Sequence, residues 1–390
     1  MNVPRLSALA AVVLFIAGCT GEPGGGPILA NAPIVRPSPA ATPTPTPRPP
    51  DPVPIVFPRD DGPHDRLTEW WYYTGHLRDR ASGARYGFEF VVFRAERGDF
   101  PIAWASHLAI TDEGGDRFFY AQRSEIGPQV DGSPRGPDGQ PRGFALTIDA
   151  TGGNSSDRWA MAGADGTDTL SATMTATEAA AAGSPAGFGL QLALASLNPP
   201  TLHGAHGFVD FGAAGGSYYY SRTRMAANGS IVIDGRTLDV SGEAWFDHQW
   251  GDFIAVGGGG WDWFAVNLAD GTDLILSLVR DSSGGYPLVY GTAVAPGGTV
   301  THLNASDFSV AVTARWTSPR TGTVYPAGWR IDVPGLALRI DLRPTVADQE
   351  LDTRATTGVV YWEGSQVVEA QRAGRPLGGE AYVELTGYGP

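Results

Sequence analysis

Cysteine is almost absent from this chain of 390 residues: there is one, Cys19. A lone thiol excludes an intrachain disulfide framework and a cysteine-built metal centre. Positive charge is scarce as well. Lys and Arg total 27 against 41 Asp and Glu, a formal net charge of -14, and no Lys/Arg cluster occurs. Phosphate backbones are held by basic patches, so this balance argues against nucleic acid as a partner. Charged residues of both signs make up only 17%. Sustained helical periodicity is lacking, as is any short-period repeat. No serine sits in a nucleophile elbow, and no phosphate-cradling glycine loop runs into a helix.

What remains is glycine, aromatic residues and short β-prone runs. Glycine occurs 53 times. ARYGFEFVVFRAE alternates, with Tyr86, Phe88, Phe90 and Val92 on one face. Successive strand side chains point to opposite faces, so this pattern reads as a strand with one side in a core. Asn228-Gly229, Asp234-Gly235, Asp270-Gly271 and Gly284-Gly285 separate similar runs and read as hairpin turns. Many short strands at near-regular spacing predict an all-β protein of antiparallel barrels or sandwiches. Similar β-rich character on either side of Gly257–Gly260 predicts two consecutive barrels, over residues 56–252 and 253–390, with the glycine run as a flexible connector.

The first 55 residues differ in kind. One positive charge precedes the apolar run Leu6–Ile16, which is too short to span a bilayer and has the shape of an export signal. It ends in Ile16-Ala17-Gly18-Cys19, which looks like a bacterial lipoprotein signal over residues 1–18, with Cys19 as the lipidated residue. Residues 19–55, containing PSPAATPTPTPRPPDPVP, cannot build a core and read as a disordered, partly polyproline tether. The expectation is an exported body anchored to a membrane at the cell envelope through Cys19.

The richest window is residues 241–264, SGEAWFDHQWGDFIAVGGGGWDWF. Alternation places His248 and Trp250 with Phe246, and Asp247 with Trp245 on the reverse face. Past the glycines it places Asp262 with Phe264, and Trp261 with Trp263 opposite. Acids and an imidazole among indoles suit a small-molecule pocket. The same residues also suit a plain β-core, with Asp side chains bonding turn backbone. Of the other histidines, His203 and His206 share one loop. Without a helix or a third ligand they are read as bonding the loop or lining the pocket. Arg222 and Arg224 read as a surface face.

Four segments together resemble one known family: FPRDDGPHDRLTEWWYYTGHL at 57–77, YYYSRTRM at 218–225, GEAWFDHQWGDF at 242–253 with GWDWF at 260–264, and YWEGSQVV with AYVELTGYG near the end. The resemblance is to the carotenoid 1,2-hydratase and attachment-protein (AttH-like) family, and it covers the chain from about Val56 onward. It implies two lipocalin-like β-barrels. It also implies a hydro-lyase that adds water, without a cofactor or metal, to an apolar isoprenoid or polyene, or cyclises one. Such chemistry needs an acid whose proton is retained by burial, aromatic faces that tolerate a carbocation, and a positioned water. Carried onto this sequence, the resemblance makes His248 and Trp250 the functional pair, preceded by Asp247, with Asp262 as proton donor. Trp70, Trp71 and Tyr72 join Trp250, Trp261 and Trp263 as substrate wall, Glu69 is an alternative acid, and His206-Gly207 faces the site. The expected arrangement is one greasy chamber into which His248 and Asp262 both turn. The alternative is a non-catalytic lipocalin-like carrier of a hydrophobic ligand, or a scaffold whose chamber is filled.

Overall fold

The computed structural model describes residues 50–150, 157–253 and 258–389. Cys19, the expected signal and most of the expected tether lie outside these residues. Residues 51–55, read above as the end of the tether, pack on the body. The Val53 N–H donates to the Tyr218 hydroxyl at 2.7 Å, and Arg66 pairs with Asp51 at 2.6 Å.

Twelve antiparallel strands form the first sheet. They are β1 (Thr68–Asp79), β2 (Arg85–Ala95), β3 (Ala103–Asp112), β4 (Arg117–Ile126), β5 (Phe144–Ile148), β6 (Trp159–Ala164), β7 (Thr167–Thr173), β8 (Phe188–Ser196), β9 (Thr201–Leu202), β10 (Phe208–Asp210), β11 (Gly216–Ile233) and β12 (Arg236–Gly251). The path runs β4-β3-β2-β1-β12-β11-β8-β7-β6-β5, with β9 and β10 added on β11. Arg123 of β4 donates to the carbonyls of Ile148 and Thr173, drawing the two ends of the path together.

The second sheet repeats the plan with eleven strands. These are β13 (Gly258–Leu268), β14 (Asp273–Asp281), β15 (Leu288–Val294), β16 (Val300–Asn304), β17 (Ser309–Thr317), β18 (Val324–Val333), β19 (Leu338–Pro344), β20 (Glu350–Asp352), β21 (Val360–Arg372), β22 (Arg375–Leu377) and β23 (Gly379–Leu385). Their path is β16-β15-β14-β13-β23-β21-β19-β18-β17. In both sheets the first strand pairs with the last, β1 with β12 and β13 with β23. The result is two barrel-like antiparallel sheets in one all-β chain.

One turn expectation and one connector expectation need correction. Asn228-Gly229 is no turn, because both residues lie inside β11. Gly229 pairs with Leu192 on one side and Val240 on the other, and a Cβ there would meet the Gln191 carbonyl oxygen at 2.0 Å. The glycine permits a close backbone approach between three strands. The glycine run is also strand rather than connector where it is described. Gly258–Gly260 open β13, and a Cβ on Gly259 would meet the Asp281 carbonyl oxygen at 2.2 Å. Gly257 lies outside the described residues.

The alternation read from sequence sets the packing. Trp71, Tyr73, Phe88, Phe90, Phe246 and Trp250 point into the first barrel. Phe264, Val266, Trp329 and Trp362 fill the second. A third cluster, with Tyr72, Tyr219, Trp245, Trp263 and Tyr382, occupies the join, where the outer face of one sheet lies on the outer face of the other. Each buried aromatic there contributes about 1.5–3 kcal/mol. Polar links add specificity. Arg224, expected at the surface, bonds Asp273 across the join, and Arg222 is buried against Asp61 inside the first barrel.

Candidate functional site

Neighbouring residues of β12 serve different compartments. Tyr72 of β1 pairs with Asp247, and Trp71 with His248. Strand alternation therefore sends Asp247 outward to the join and His248 inward to the barrel. On β13 the same rule sends Trp263 to the join and Asp262 into the second barrel. The single chamber expected to hold His248 and Asp262 does not form, because two sheet layers separate the two side chains.

The join holds a cavity of about 90 Å³ whose lining includes Trp70, Tyr72, Tyr219, Asp247, Trp261, Trp263 and Glu384. That is room for several waters or for the reacting end of a larger molecule. Asp247, 3% exposed, accepts hydrogen bonds from the Tyr219 hydroxyl at 2.6 Å, from the Trp245 indole at 2.7 Å and from the Ser221 hydroxyl. All three donors are neutral. Burial therefore prevails over them and pushes the Asp247 carboxyl up to about 7. Tyr219 in turn accepts from the Trp263 indole at 3.0 Å, so an aromatic of the second barrel fixes the donor to the acid of the first.

Sequence reasoning missed Glu384. It lies in the segment AYVELTGYG that carried part of the resemblance, directly across from Trp263 and Glu363 in the sheet. Its carboxylate accepts from the Trp261 indole at 2.8 Å. Burial lifts it to about 7, reduced by that bond and reinforced by the charge of Asp247. Two further acids lie behind it. Glu363 accepts from the Tyr72 hydroxyl at 2.6 Å, and burial with the charges of Glu384 and Glu89 raises it well above the carboxylate range. Glu89 accepts from the Tyr361 hydroxyl at 2.8 Å and is raised by burial to about 8. No single segment announces this cluster, because its members come from β2, β12, β21 and β23.

His248 belongs to a second cluster, inside the first barrel. Its Nε2 lies 2.9 Å from Glu69 Oε1, and His64 Nδ1 lies 2.7 Å from the same oxygen. Trp71 stacks on His248 with centroids 4.6 Å apart, and Trp250 stacks on His64 at 4.0 Å with planes 2° apart. Glu69 and His248 are wholly buried. Burial would raise Glu69, but the charge of His64 and the hydrogen bonds of both imidazoles hold it down to about 2. Burial pulls His64 down, yet Glu69 and Asp60 outweigh it and raise it. His248 is lowered, chiefly by burial.

Asp262 forms a third arrangement. It pairs with Arg280 and accepts from the Tyr388 hydroxyl at 3.0 Å on each oxygen, clipping β13 to β14 and the C-terminal segment. Burial raises its pKa against the Arg280 charge. It does not line the inter-barrel cavity. Of the expected residues, Asp247, Trp70, Tyr72, Trp261 and Trp263 converge there, while His248, Trp250, Trp71 and Asp262 do not. His203 is buried and bridges the barrels, with Nε2 at 2.6 Å from Ser221 and Nδ1 at 3.0 Å from Thr292. Gly207 is buried, but His206 is exposed, so it does not face the site.

The aromatic walls of the join and the two carboxyls that line its cavity, Asp247 and Glu384, suit proton transfer to an apolar substrate. Similar proteins are consistent with this architecture. No curated protein matches the chain. A putative AttH from Nitrosomonas europaea is similar in crystal structure, with 28% identity, a TM-score of 0.72, and coverage of 86% of this chain and 98% of that one. Kievitone hydratase from Nectria haematococca shares the fold at 14% identity and a TM-score of 0.62, over 85% of this chain and 92% of its own. The AttH-like family model matches residues 48–388, nearly the whole of both barrels. On that match, the chain belongs to the AttH-like family.

Proposed function

We propose that this protein is a hydro-lyase that adds water to a carbon–carbon double bond of an apolar isoprenoid or polyene, using Asp247 and Glu384 as an acid–base pair. The observation that carries this reading is two buried carboxyls lining one aromatic cavity, each pushed up to about 7 by burial. Near neutral pH such a pair holds a proton on one member and a charge on the other. The protonated carboxyl gives its proton to the alkene, leaving a tertiary carbocation against Trp263 and its neighbours, whose π faces attract positive charge. The ionised carboxyl takes a proton from the attacking water as the new carbon–oxygen bond forms. Transfer of that proton back to the first carboxyl restores the starting state, so the reaction consumes only water and alkene. A hydratase with the same fold supports the reaction class, and neither step calls for a bound cofactor.

The test is incubation with an acyclic carotenoid such as lycopene in water labelled with heavy oxygen. Label in a new tertiary alcohol, lost in Asp247→Asn and Glu384→Gln, is the expected result. Label retained in both variants would remove the pair from the mechanism. A second reading, a carrier of a hydrophobic ligand, is favoured by the mostly apolar cavity lining. Tight retention of a lipid with no labelled product would establish that reading instead. In either case, the N-terminal segment tethers the body to a membrane of the envelope through a lipid on Cys19. Cys19→Ser should then move the protein from the membrane to the soluble fraction.

A further inference from the structure

The cluster inside the first barrel has no task in the reaction just proposed. Its parts are a loop histidine, His64, a strand carboxylate, Glu69 on β1, and a strand histidine, His248 on β12. Their ligand-capable atoms lie within 4.8 Å of one another. We propose that His64 Nδ1, Glu69 Oε1 and His248 Nε2 form a binding site for one divalent transition-metal ion of the zinc type, separate from the inter-barrel cavity.

The donor set is two imidazoles and one carboxylate, which suits zinc and leaves a fourth position open. Ligand atoms about 2.0–2.1 Å from a tetrahedral ion are roughly 3.3 Å apart. Two of the contacts here are 2.7 and 2.9 Å. The carboxylate has to withdraw by about 0.5 Å, within the reach of small side-chain rotations.

Part of a supporting shell is present around His64 and Glu69, while His248 Nδ1 has no hydrogen-bond partner among the described residues. Metal-bound histidines usually donate their other ring N–H to a carboxylate, a backbone carbonyl or a water. His64 Nε2 lies 3.4 Å from Asp60 Oδ1, while its Nδ1 faces Glu69. The second oxygen of Glu69, Oε2, accepts the His64 backbone N–H at 2.9 Å, which leaves Oε1 to act as a single-oxygen ligand. Trp71 and Trp250 pack on the rings of His248 and His64 and fix their planes. Glu69 and His248 are closed off, but the His64 side chain is 18% exposed. His64 and Trp250 also line a cleft of about 990 Å³, which supplies an entry path and a position for a water ligand. His76 and Glu113, a comparable pair, lie 3.7 Å apart with Arg85 on the glutamate, and a cation already occupies that carboxylate.

The experiment uses the full-length protein, stripped with a chelator and titrated with Zn²⁺ by calorimetry, with metal content measured after gel filtration. Co²⁺ substitution reads the coordination through its visible absorption. The expected result is one ion per chain. His64→Ala and Glu69→Gln should each weaken binding at least tenfold and abolish the cobalt bands, while Asp247→Asn leaves both unchanged. His64 is at the barrel rim, so circular dichroism of His64→Ala checks that its loss of binding is not a loss of fold. No stoichiometric ion in the wild type, or an ion bound equally by His64→Ala and Glu69→Gln, overturns the proposal. Loss of hydration in Asp247→Asn bears only on the inter-barrel reading and leaves this one standing.

Discussion

Two carboxyls, Glu69 and Asp247, are buried on opposite sides of one sheet, yet burial leaves them in opposite states. Asp247 rises to about 7 and Glu69 falls to about 2. Both lose water, and both accept more than one hydrogen bond, so neither burial nor the number of bonds decides the outcome. The charge of the donor does. Asp247 faces two hydroxyls and an indole, whereas Glu69 faces two imidazoles, one of them favoured in its charged form. Neutral donors offset part of the desolvation cost of a carboxylate, and a cation reverses it. Asp247 therefore stores a proton on the inter-barrel face, and Glu69 holds a negative charge on the lumen face.

The largest effect that would break this comparison is on activity. Asp247→Asn removes the titrating proton and should lower the hydration rate by about 10²- to 10⁴-fold, the usual worth of a general acid or base. Initial rates with a labelled polyene measure it. A change of less than about tenfold would mean that the stored proton is not used. Glu69 should respond in stability instead. Glu69→Gln removes the carboxylate oxygen that both imidazoles face and leaves buried polar groups poorly paired, which costs about 1–3 kcal/mol. Urea unfolding at pH 7 measures this. The sign with pH follows from the lowered folded pKa of Glu69. Its contribution is present above the unfolded value of about 4.3 and is lost as pH falls toward 2.

Glu89 sharpens the comparison with the opposite sign. Its folded pKa is raised to about 8, so the native state retains a proton that the unfolded chain releases near pH 4.3. Wild-type stability carried by this group therefore falls as pH rises through that window. Glu89→Gln keeps an acceptor for the Tyr361 hydroxyl and removes the titration. The variant should gain on wild type by about 1.4 kcal/mol per pH unit between pH 5 and 8. Urea midpoints at pH 5, 6.5 and 8 check the slope. A flat difference would show that Glu89 is ionised in the native protein.

Period-two patterns made the fold legible, and they failed only where a glycine served a close approach, as at Gly229. They also assigned the faces of Asp247, His248 and Asp262 correctly. The expected chamber was wrong for a different reason. Alternation gives the two sides of a strand but not what lies beyond each side. Phe246 and Trp245 are equally apolar, yet one fills a barrel and the other fills the join between barrels. Glu384 was hidden because its significance comes from Asp247 and Trp261, both more than 120 positions away in the chain. The cluster of His64, Glu69 and His248 was hidden likewise, since β1 and β12 meet only when the sheet closes first strand against last.

The smallest effect tests the donor argument directly. Trp245 donates its indole N–H to Asp247 Oδ1 at 2.7 Å, and this neutral bond lowers the carboxyl's pKa. Trp245→Phe keeps an aromatic ring in the join and deletes the donor. A neutral hydrogen bond contributes about 1 kcal/mol net, which corresponds to roughly 0.7 of a pKa unit. The limb of the pH–rate profile governed by Asp247 should move upward by about that amount, with little change in the plateau rate. Heavy loss of the plateau would mean that the indole positions the substrate rather than the acid. No movement of the limb would mean that neutral donors do not set the acidity of Asp247, and the contrast with Glu69 would then need a cause other than donor charge.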